Sequence, residues 1–580
     1  MNRLHYRARP AQALWASSCT QYANTAIDLD EDGKKLLYHN AVQGPNKEHW
    51  ERAGGEEIIR LFESKTGKLL HLRDIPKGRQ ATYYNPRCRI KMKNGAPSYR
   101  VRGTAGGDRV QYDGETAAFT ASMQTLKILL NAVVSDKGAR FATADIKDYY
   151  LGTPLLDKNG NPAKEYMRIS LKHIPLAVQL QYNMVDFVHK DHVYVEINKS
   201  IYGLPQSGRL SQDRLILHLA KHDYIQCPNT PALFRHKTKN FAFTLVVDDF
   251  GIKYTDEADL DEFLGVLRKQ YEITEDRGDV QKYVGITIAH DRSNDTISLS
   301  MPGYVEKALQ RFHLLNPKGA NSPSVYIPPE YGKLVQYEET DDTSPVDAAA
   351  KTRIQEIVGV FLFYARAVDP ETMLTAVNKL ASKQAHPTES VVAASQRLLQ
   401  YASRFPNATI QLRPSNMQLM CHSDASYLSE PNSRSRAGGF LFLGDTELTA
   451  GLNGAIDCIS VIINTSAAEA EYAALFIVGR EAVSASATLN DLGYPQQATL
   501  IICDNQCAVG IANRTVKQKQ SKAIAMRYHW LRDRVELDEL RVEWRPGKDN
   551  LADFFTKTHP VHHHLSQRKL YVHDTTAPDA

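Results

Sequence analysis

FAFTLVVDDFGIKY, residues 241–254, sets two apolar stretches on either side of an acidic pair, Asp248 and Asp249. β-Branched and aromatic residues crowd both arms, and a tight acidic centre between such arms spells a β-hairpin with the two acids at its turn. Loop tips on a rigid scaffold often carry chemistry, and the apolar flanks set this pair apart from an ordinary solvated Asp–Asp turn. Upstream, ARFATADIK (139–147) reads as a strand delivering Asp145 at its C-terminal end. One carboxylate ending a strand beside a hairpin tipped with two more suits two metal ions, a triphosphate, an attacking 3′-hydroxyl and a leaving pyrophosphate. Magnesium fits such a set because it takes carboxylate, phosphate and water oxygens and needs few protein ligands.

A second acidic set follows. Asp424 lies in CHSDASY (421–427), Glu471 in SAAEAEYAAL (466–475), Asp504 in IICDNQC (501–507) and Asp553 in GKDNLADFFTK (547–557). From Gln418 the pattern alternates strands and helices, which predicts a small α/β domain with a mixed sheet. Asp424 falls in or just after one strand, Glu471 in a helix and Asp504 at the end of another strand. Those positions can converge on two metals about 4 Å apart that cut a phosphodiester with water. Three carboxylates and then four read as a polymerase followed by a nuclease.

Composition sets bounds on this reading. The 580 residues have room for several domains, each with its own core. A net charge of +4 is small, so any nucleic-acid footprint must be local. Seven scattered cysteines point to reduced thiols and an intracellular protein, and Cys503 and Cys507 have no second Cys or His pair at zinc spacing. No apolar run is long enough for a membrane span, and the N-terminus lacks the apolar core of a signal peptide. ETAAFTASMQTLKILLNAVVSDKG (115–138) reads as an amphipathic helix ending at Gly138, and Asn94–Gly95 as a hairpin turn between basic strands.

The motifs resemble those of copia-type retrotransposon Pol polyproteins, in the region of reverse transcriptase plus ribonuclease H. ADIKDYYLGTPL (144–155), NKSIYGLPQSGR (198–209), VVDDF (246–250) and EDRGDVQKYVGITI (275–288) resemble four reverse-transcriptase motifs in the family's order and spacing. The resemblance implies that Asp145, Asp248 and Asp249 hold metals. It puts Tyr150 under the sugar of the incoming nucleotide and Gln206 near the template–substrate pair. SYRVRGTAGGDR (98–109) resembles the fingers strand, which makes Arg100 and Arg102 triphosphate ligands; Gly106 departs from the Lys or Arg usual there. CHSDASY, EAEYAAL, CDNQCAVGIAN and RPGKDNLADFFTK resemble the ribonuclease H of the same elements, with Asp424, Glu471, Asp504 and Asp553 as metal ligands. Glu471 matches the family pattern better than Glu469, which lies about 200° around the helix. No histidine precedes Asp553 where many ribonucleases H have one, so slow turnover is expected. KQKQSKAIAMRYHWLRDR (517–534) offers Lys517, Lys519, Lys522, Arg527 and Tyr528 as a basic stripe for hybrid phosphates, though relatives often have His and Asp at Ala523 and Ala525.

The implied architecture is multidomain, α/β and α+β: a right-hand polymerase followed by a ribonuclease H-like domain with a mixed sheet. Residues 1–42 read as a leader or polyprotein remnant, and 43–290 as fingers and palm. Residues 291–415 read as thumb and connection with a linker near 321–345, 416–560 as the nuclease, and 561–580, with His562–His563–His564, as a solvated tail. The expected cofactor is Mg2+ or Mn2+, two ions at each active site. Expected partners are an RNA template, a DNA primer, RNA/DNA hybrid and dNTPs, with a second copy or the element's integrase besides, and no membrane. By resemblance the protein would work in cytoplasmic virus-like particles or in the nucleus. A decayed or domesticated nucleic-acid-binding derivative is the alternative, and seven intact acids argue against it. An RNA-only replicase would leave the second acidic set without a purpose.

Overall fold

The computed structural model describes residues 36–93, 96–314, 318–328, 341–431, 434–444, 453–463, 467–516 and 525–574. Four sheets divide the chain. The first is built on β1 (Gly67–Leu70), β2 (Thr82–Lys93), β3 (Ala96–Ala105), β5 (Glu165–Ser170) and β6 (His192–Ile197), in the order β1-β6-β5-β2-β3. β2 and β3 form a long antiparallel hairpin whose last pair is Lys93 and Ala96; the Asn94–Gly95 turn itself lies outside the described residues. One face of this hairpin, with Val101 and Tyr99, packs on the helix Lys47–Glu63 through Trp50. Tyr38 and Ala41 join the same cluster, so residues 36–42, read above as the end of a leader, belong to this unit.

The second sheet runs β11-β4-β10-β9-β8-β7. Its centre is β4 (Arg140–Ile146), β9 (Ala242–Val246) and β10 (Asp249–Tyr254), with β7 (Tyr224–Gln226), β8 (Leu233–His236) and β11 (Ile273–Asp276) outside them. The aromatic arms of the deciding stretch fill its core: Phe241, Phe243 and Phe250 pack around Phe263. The helix Met123–Ser135 starts where Ser122 caps it, accepting from Thr125 N. It is buried all round rather than amphipathic, with Lys127 and Asn131 inside. Both polar side chains find partners there: Lys127 donates to the Arg366 carbonyl at 3.2 Å, and Asn131 Oδ1 accepts from Asn453 at 2.9 Å.

The third sheet joins β12 (Val280–Tyr283), β13 (Ile286–Asp291), β14 (Thr296–Ser300), β15 (Ala408–Leu412) and β21 (His573–Asp574). β12 and β13 therefore lie with the middle region, on the far side of the boundary read at 290. Three helices, Ala348–Val368, Pro370–Lys383 and Glu389–Arg404, pack beside this sheet and share its core cluster. Of the linker read at 321–345, residues 329–340 lie outside the described residues. Its described ends are fastened rather than free, since Arg397 donates to Ser322 and Asp341 accepts from Thr388 and Ser390.

The fourth sheet is mixed, as expected, in the order β18-β17-β16-β19-β20. β16 (Gln418–Glu430), β17 (Arg434–Gly444) and β18 (Ala455–Ile463) are antiparallel, while β19 (Thr499–Cys503) and β20 (Leu540–Trp544) run parallel to β16. The helix Ala467–Leu492 lies across it.

Residues 561–574 correct the solvated tail. Val561–Tyr571 is a helix, with His564, Arg568 and Tyr571 buried on one side. Arg568 lies 3.6 Å from Asp369 and donates to Thr372 and Tyr401, each at 3.0 Å, and His564 pairs with the Tyr401 hydroxyl. β21 then pairs with Ala408–Thr409 of β15. The polar lettering hid the segment because its anchors are hydrogen-bonded cations and rings rather than aliphatics. Among the described residues no helix is long and apolar enough to cross a membrane.

Candidate active sites

Asp145 and Asp249 are direct cross-strand partners, the last pair but one of β4 and the first residue of β10. The hairpin turn is Val247–Asp248, one residue earlier than the sequence suggested, because Val246 pairs with Asp249. Val247 takes φ +62°, and the Asp248 carbonyl accepts from Ile146 N at 3.0 Å, which ties the turn back to β4. Three carboxylates thus share one strand end. Burial pushes Asp248 up to about 6, and Asp145 adds to the rise. Burial likewise raises Asp145 and Asp249, and a hydrogen bond between the two carboxyls couples them. Like charges so close cannot all ionise without a counter-charge. A cleft of about 390 Å³ opens beside them, lined by Thr143, Glu275, Gln281 and Lys282 among others.

The nearest counter-charges come from the hairpin β2–β3. Arg100 and Arg102 lower Asp145 and Asp248, and Lys91 lowers Asp145 and Asp249. Arg89 stands opposite Arg100, and Arg87 opposite Arg102. One hairpin face therefore carries Arg87, Arg89, Lys91, Arg100 and Arg102, and like charges directly opposite are unfavourable without an anion between them. Only Arg100 and Arg102 were singled out above. The period-two spacing in PRCRIKMK (86–93) was the signal for the other three. Gly106 follows the end of β3, and the Tyr83 ring lies 2.3 Å from the site of a Cβ there, so a longer side chain would require that ring to move.

Tyr150 contacts two rings, Tyr149 at 5.5 Å and Tyr202 at 4.8 Å. Burial, then Asp248, raises its hydroxyl. Gln206 occupies the buried position just before the helix Ser207–Ala220 without capping it through its side chain, which lies on Glu165 with its Oε1 lacking a hydrogen-bond partner among the described residues. Tyr202, unremarked in the sequence, lies between Tyr150 and Arg102.

The second site follows from strand direction. β16 and β19 are parallel with Ser423 opposite Cys503, so the next residues, Asp424 and Asp504, emerge side by side. Glu471 reaches them from the helix Ala467–Leu492, and its ligand atom lies within 4.8 Å of those of Asp504 and Cys503. Asp553 comes from the turn Leu551–Phe555, capped by Asn550. Burial pushes Glu471 up to about 9, reinforced by Asp424, Asp504 and Asp553, and pushes Asp424 up to about 6. The buried Oε2 of Glu471 has no hydrogen-bond partner among the described residues. An orphaned buried carboxylate oxygen among three more acids fits a metal, which would satisfy it.

Several supporting residues escaped the sequence reading. Thr556 donates to Asp424 Oδ2 at 2.7 Å, Asn550 donates to the Ser423 carbonyl at 2.9 Å, and Lys557 pairs with Asp553. His422 is buried and accepts from Leu551 N, with burial lowering it to about 4, so it is a neutral clamp on the acidic loop. Burial raises the Cys503 thiol, which keeps it protonated. Of the basic stripe, Lys517, Lys519 and Lys522 lie outside the described residues. Arg527 stands over the Phe476 ring at 6.0 Å, and Tyr528 packs on Tyr472 with Arg532 over its face at 4.7 Å.

Residues 182–326 match the family described as reverse transcriptase (RNA-dependent DNA polymerase). The chain is 24% identical over 554 residues to the retrovirus-related Pol polyprotein from transposon TNT 1-94 of Nicotiana tabacum, covering 93% of this chain and 39% of that one. It is 28% identical over 531 residues to the counterpart from transposon RE1 of Arabidopsis thaliana, covering 89% of this chain and 33% of that one. The chain thus spans well under half the length of these relatives. Among solved structures, a foamy viral protease-reverse transcriptase in complex with RNA/DNA hybrid aligns with TM-score 0.44 and 11% identity, over 95% of this chain and 65% of that one. LC11-RNase H1, isolated from compost, aligns with TM-score 0.20 and 17% identity, over 24% of this chain and 93% of that one. The resemblance to copia-type Pol polyproteins read from the motifs is borne out by these relatives.

Proposed function

We propose that this chain, a relative of copia-type Pol polyproteins over 93% of its length, is an RNA-directed DNA polymerase with a second, ribonuclease H centre. It would copy RNA and then DNA templates from dNTPs and degrade the RNA strand of the resulting hybrid. The observation that carries this reading is the pair of separate carboxylate clusters, one at the β4–β10 strand ends and one where the β16–β19 pairing ends, each raised by burial and by its own members. Mg2+ or Mn2+, two ions at each centre, would be held by Asp145, Asp248 and Asp249 and by Asp424, Glu471, Asp504 and Asp553, and would supply charge neutralisation and Lewis acidity at phosphorus.

The chain's own residues do the rest. At the first centre, the cationic face of β2–β3 attracts the triphosphate and is relieved of its cross-strand repulsion when the anion arrives. The Tyr150 ring closes the pocket against a 2′-hydroxyl, and Gln206 offers a buried amide oxygen to the nucleotide or template. At the second centre, Thr556 donates to Asp424 and Asn550 ties the acidic loop to the Ser423 carbonyl, which orients Asp424 and its neighbours for binding. Arg527 and Tyr528 would track the hybrid backbone beside the described end of the basic segment.

The test is purified protein on poly(rA)/oligo(dT) with dTTP and Mg2+, followed from primer extension through loss of the RNA strand. Extension and RNA loss are both expected, and both are expected to stop in EDTA. Binding of hybrid with neither activity would favour the domesticated, non-catalytic alternative.

A further inference from the structure

Arg102, Tyr202 and Tyr150 form a continuous stack from the hairpin β2–β3 to the strand end that carries the three acids. The Arg102 guanidinium lies 4.3 Å from the centroid of the Tyr202 ring. That ring meets Tyr150 edge-on, with centroids 4.8 Å apart and planes at 74°. Both are attractive arrangements, a cation on a ring face and an edge-to-face pair. Among the described residues Arg102 makes no ion pair; the Tyr202 ring touches its guanidinium, while Glu57, Asp145 and Asp248 act on it from further away.

The backbone fixes Tyr202 as firmly as its ring does. Ala105 N, at the end of β3, donates to the Tyr202 carbonyl at 2.7 Å. Gly203 takes φ +93°, and a Cβ there would come within 2.1 Å of the Ala105 carbonyl oxygen. Only glycine allows the loop to run so close to the hairpin root. The ring of Tyr202 is half-buried, and burial pushes its hydroxyl up to about 12 while Arg102 pulls it down, so it stays a neutral phenol.

We propose that Tyr202 is a specificity-determining positioning residue of the polymerase centre, backing Tyr150 and parking Arg102 for the phosphates of the incoming nucleotide. The inference rests on the polymerase reading of Asp145, Asp248 and Asp249 and on Tyr150 as the sugar gate. A steric gate excludes a ribose hydroxyl only if its ring cannot swing aside. Tyr149 and Tyr202 both pack against the Tyr150 ring. Removing Tyr202 leaves the gate in the chain with one support missing, and releases Arg102 at the same time.

The experiment compares Tyr202→Leu, Tyr202→Phe, Arg102→Gln, Tyr150→Ala and the double variant Tyr150→Ala/Tyr202→Leu in primer extension, with dNTP and rNTP titrated separately and a thermal melt of each. Tyr202→Leu is expected to raise rNTP use relative to dNTP about fivefold and to raise KM for dNTP more than it lowers kcat. Tyr202→Phe keeps the ring and is expected to restore both quantities. Arg102→Gln is expected to raise KM alone, and serves as the second reading if Tyr202→Leu melts early. The double variant should be no less selective than Tyr150→Ala, because both changes act through one wall. An unchanged ratio and KM in folded Tyr202→Leu, or a Tyr202→Phe as impaired as Tyr202→Leu, overturns the proposal while leaving the gate intact. An unchanged ratio in Tyr150→Ala instead removes the gate reading, and the proposal with it.

Discussion

Glu471→Gln should make the nuclease unit more stable in metal-free buffer while abolishing cleavage of hybrid. Asp424, Asp504, Asp553 and Cys503 surround the Glu471 carboxyl, and burial with the three acids pushes it up to about 9 from an ordinary 4.5. The sign follows from which state holds the proton. Below about 4.5 both folded and unfolded chains are protonated, and Glu471 contributes nothing to pH dependence. As pH rises the unfolded chain releases the proton first, so stability is lost steadily up to about 9. At about 1.36 kcal/mol per pH unit, the loss at pH 7 comes to roughly 3 kcal/mol, and to about half of that after local relaxation and residual solvent screening. A neutral amide escapes this penalty. For a unit of this size each kcal/mol moves Tm by about 2–4 °C, so a rise of several degrees is expected, larger at pH 8 than at pH 6. Added Mg2+ should stabilise wild type and close the gap, because binding requires the carboxylate that the variant lacks. Calorimetry in EDTA and in Mg2+ across pH 6–8 reads all of this. A Glu471→Gln protein that melts lower than wild type at every pH in EDTA would refute an acid held unpaired for a metal, and would make Glu471 an ordinary hydrogen-bonded helix residue.

Asp249→Asn should abolish DNA synthesis and spare hybrid cleavage, and Asp504→Asn should do the reverse; loss of both activities in a folded single variant argues against two independent centres. Tyr150→Ala should raise rNTP incorporation relative to dNTP at least about tenfold, or roughly 1.4 kcal/mol, measured by primer extension. Arg568→Met should destabilise the protein by about 3–5 kcal/mol, because it removes a buried cation 3.6 Å from Asp369 together with its hydrogen bonds to Thr372 and Tyr401. A melt within a degree of wild type would mean that the C-terminal helix is not anchored by that pair.

Much of both sites was legible because most of these acids sit at strand ends, where period-two apolar patterning marks the strand and its interruption marks the chemistry. Asp145, Asp249 and Asp504 belong to this class, while Asp424 lies within β16, just past the end of its pairing with β19. What escaped depends on which strand lies beside which. The cationic face of β2–β3 needs the register that sets Arg89 against Arg100, and sequence gives the alternation of each strand without that register. Tyr202 needed the approach of Gly203 to Ala105, a contact between segments a hundred residues apart in the chain. The segment 561–574 was missed for another reason. Its anchors, His564 and Arg568, are residue types that mostly face water, and nothing in the segment announces that Asp369 and Tyr401 wait for them.

That C-terminal anchor changes what kind of joint connects the two centres. The fourth sheet leaves the third after β15 and the chain returns to it at β21, so both ends of the nuclease unit are fixed in the same sheet. Polar contacts then bind the nuclease unit directly to the second sheet's surroundings. Asn229 pairs with Asp491 through two hydrogen bonds of 3.1 Å, Asn453 bridges Asn131 and Arg413, and Ser415 N donates to Ser135. Apolar packing tolerates a small slide, whereas hydrogen bonds weaken steeply once their angle opens. A unit tied at both chain ends and indexed by directional bonds resists sliding more than one held by apolar packing alone, because any rotation of the second acidic cluster relative to the first has to break those bonds.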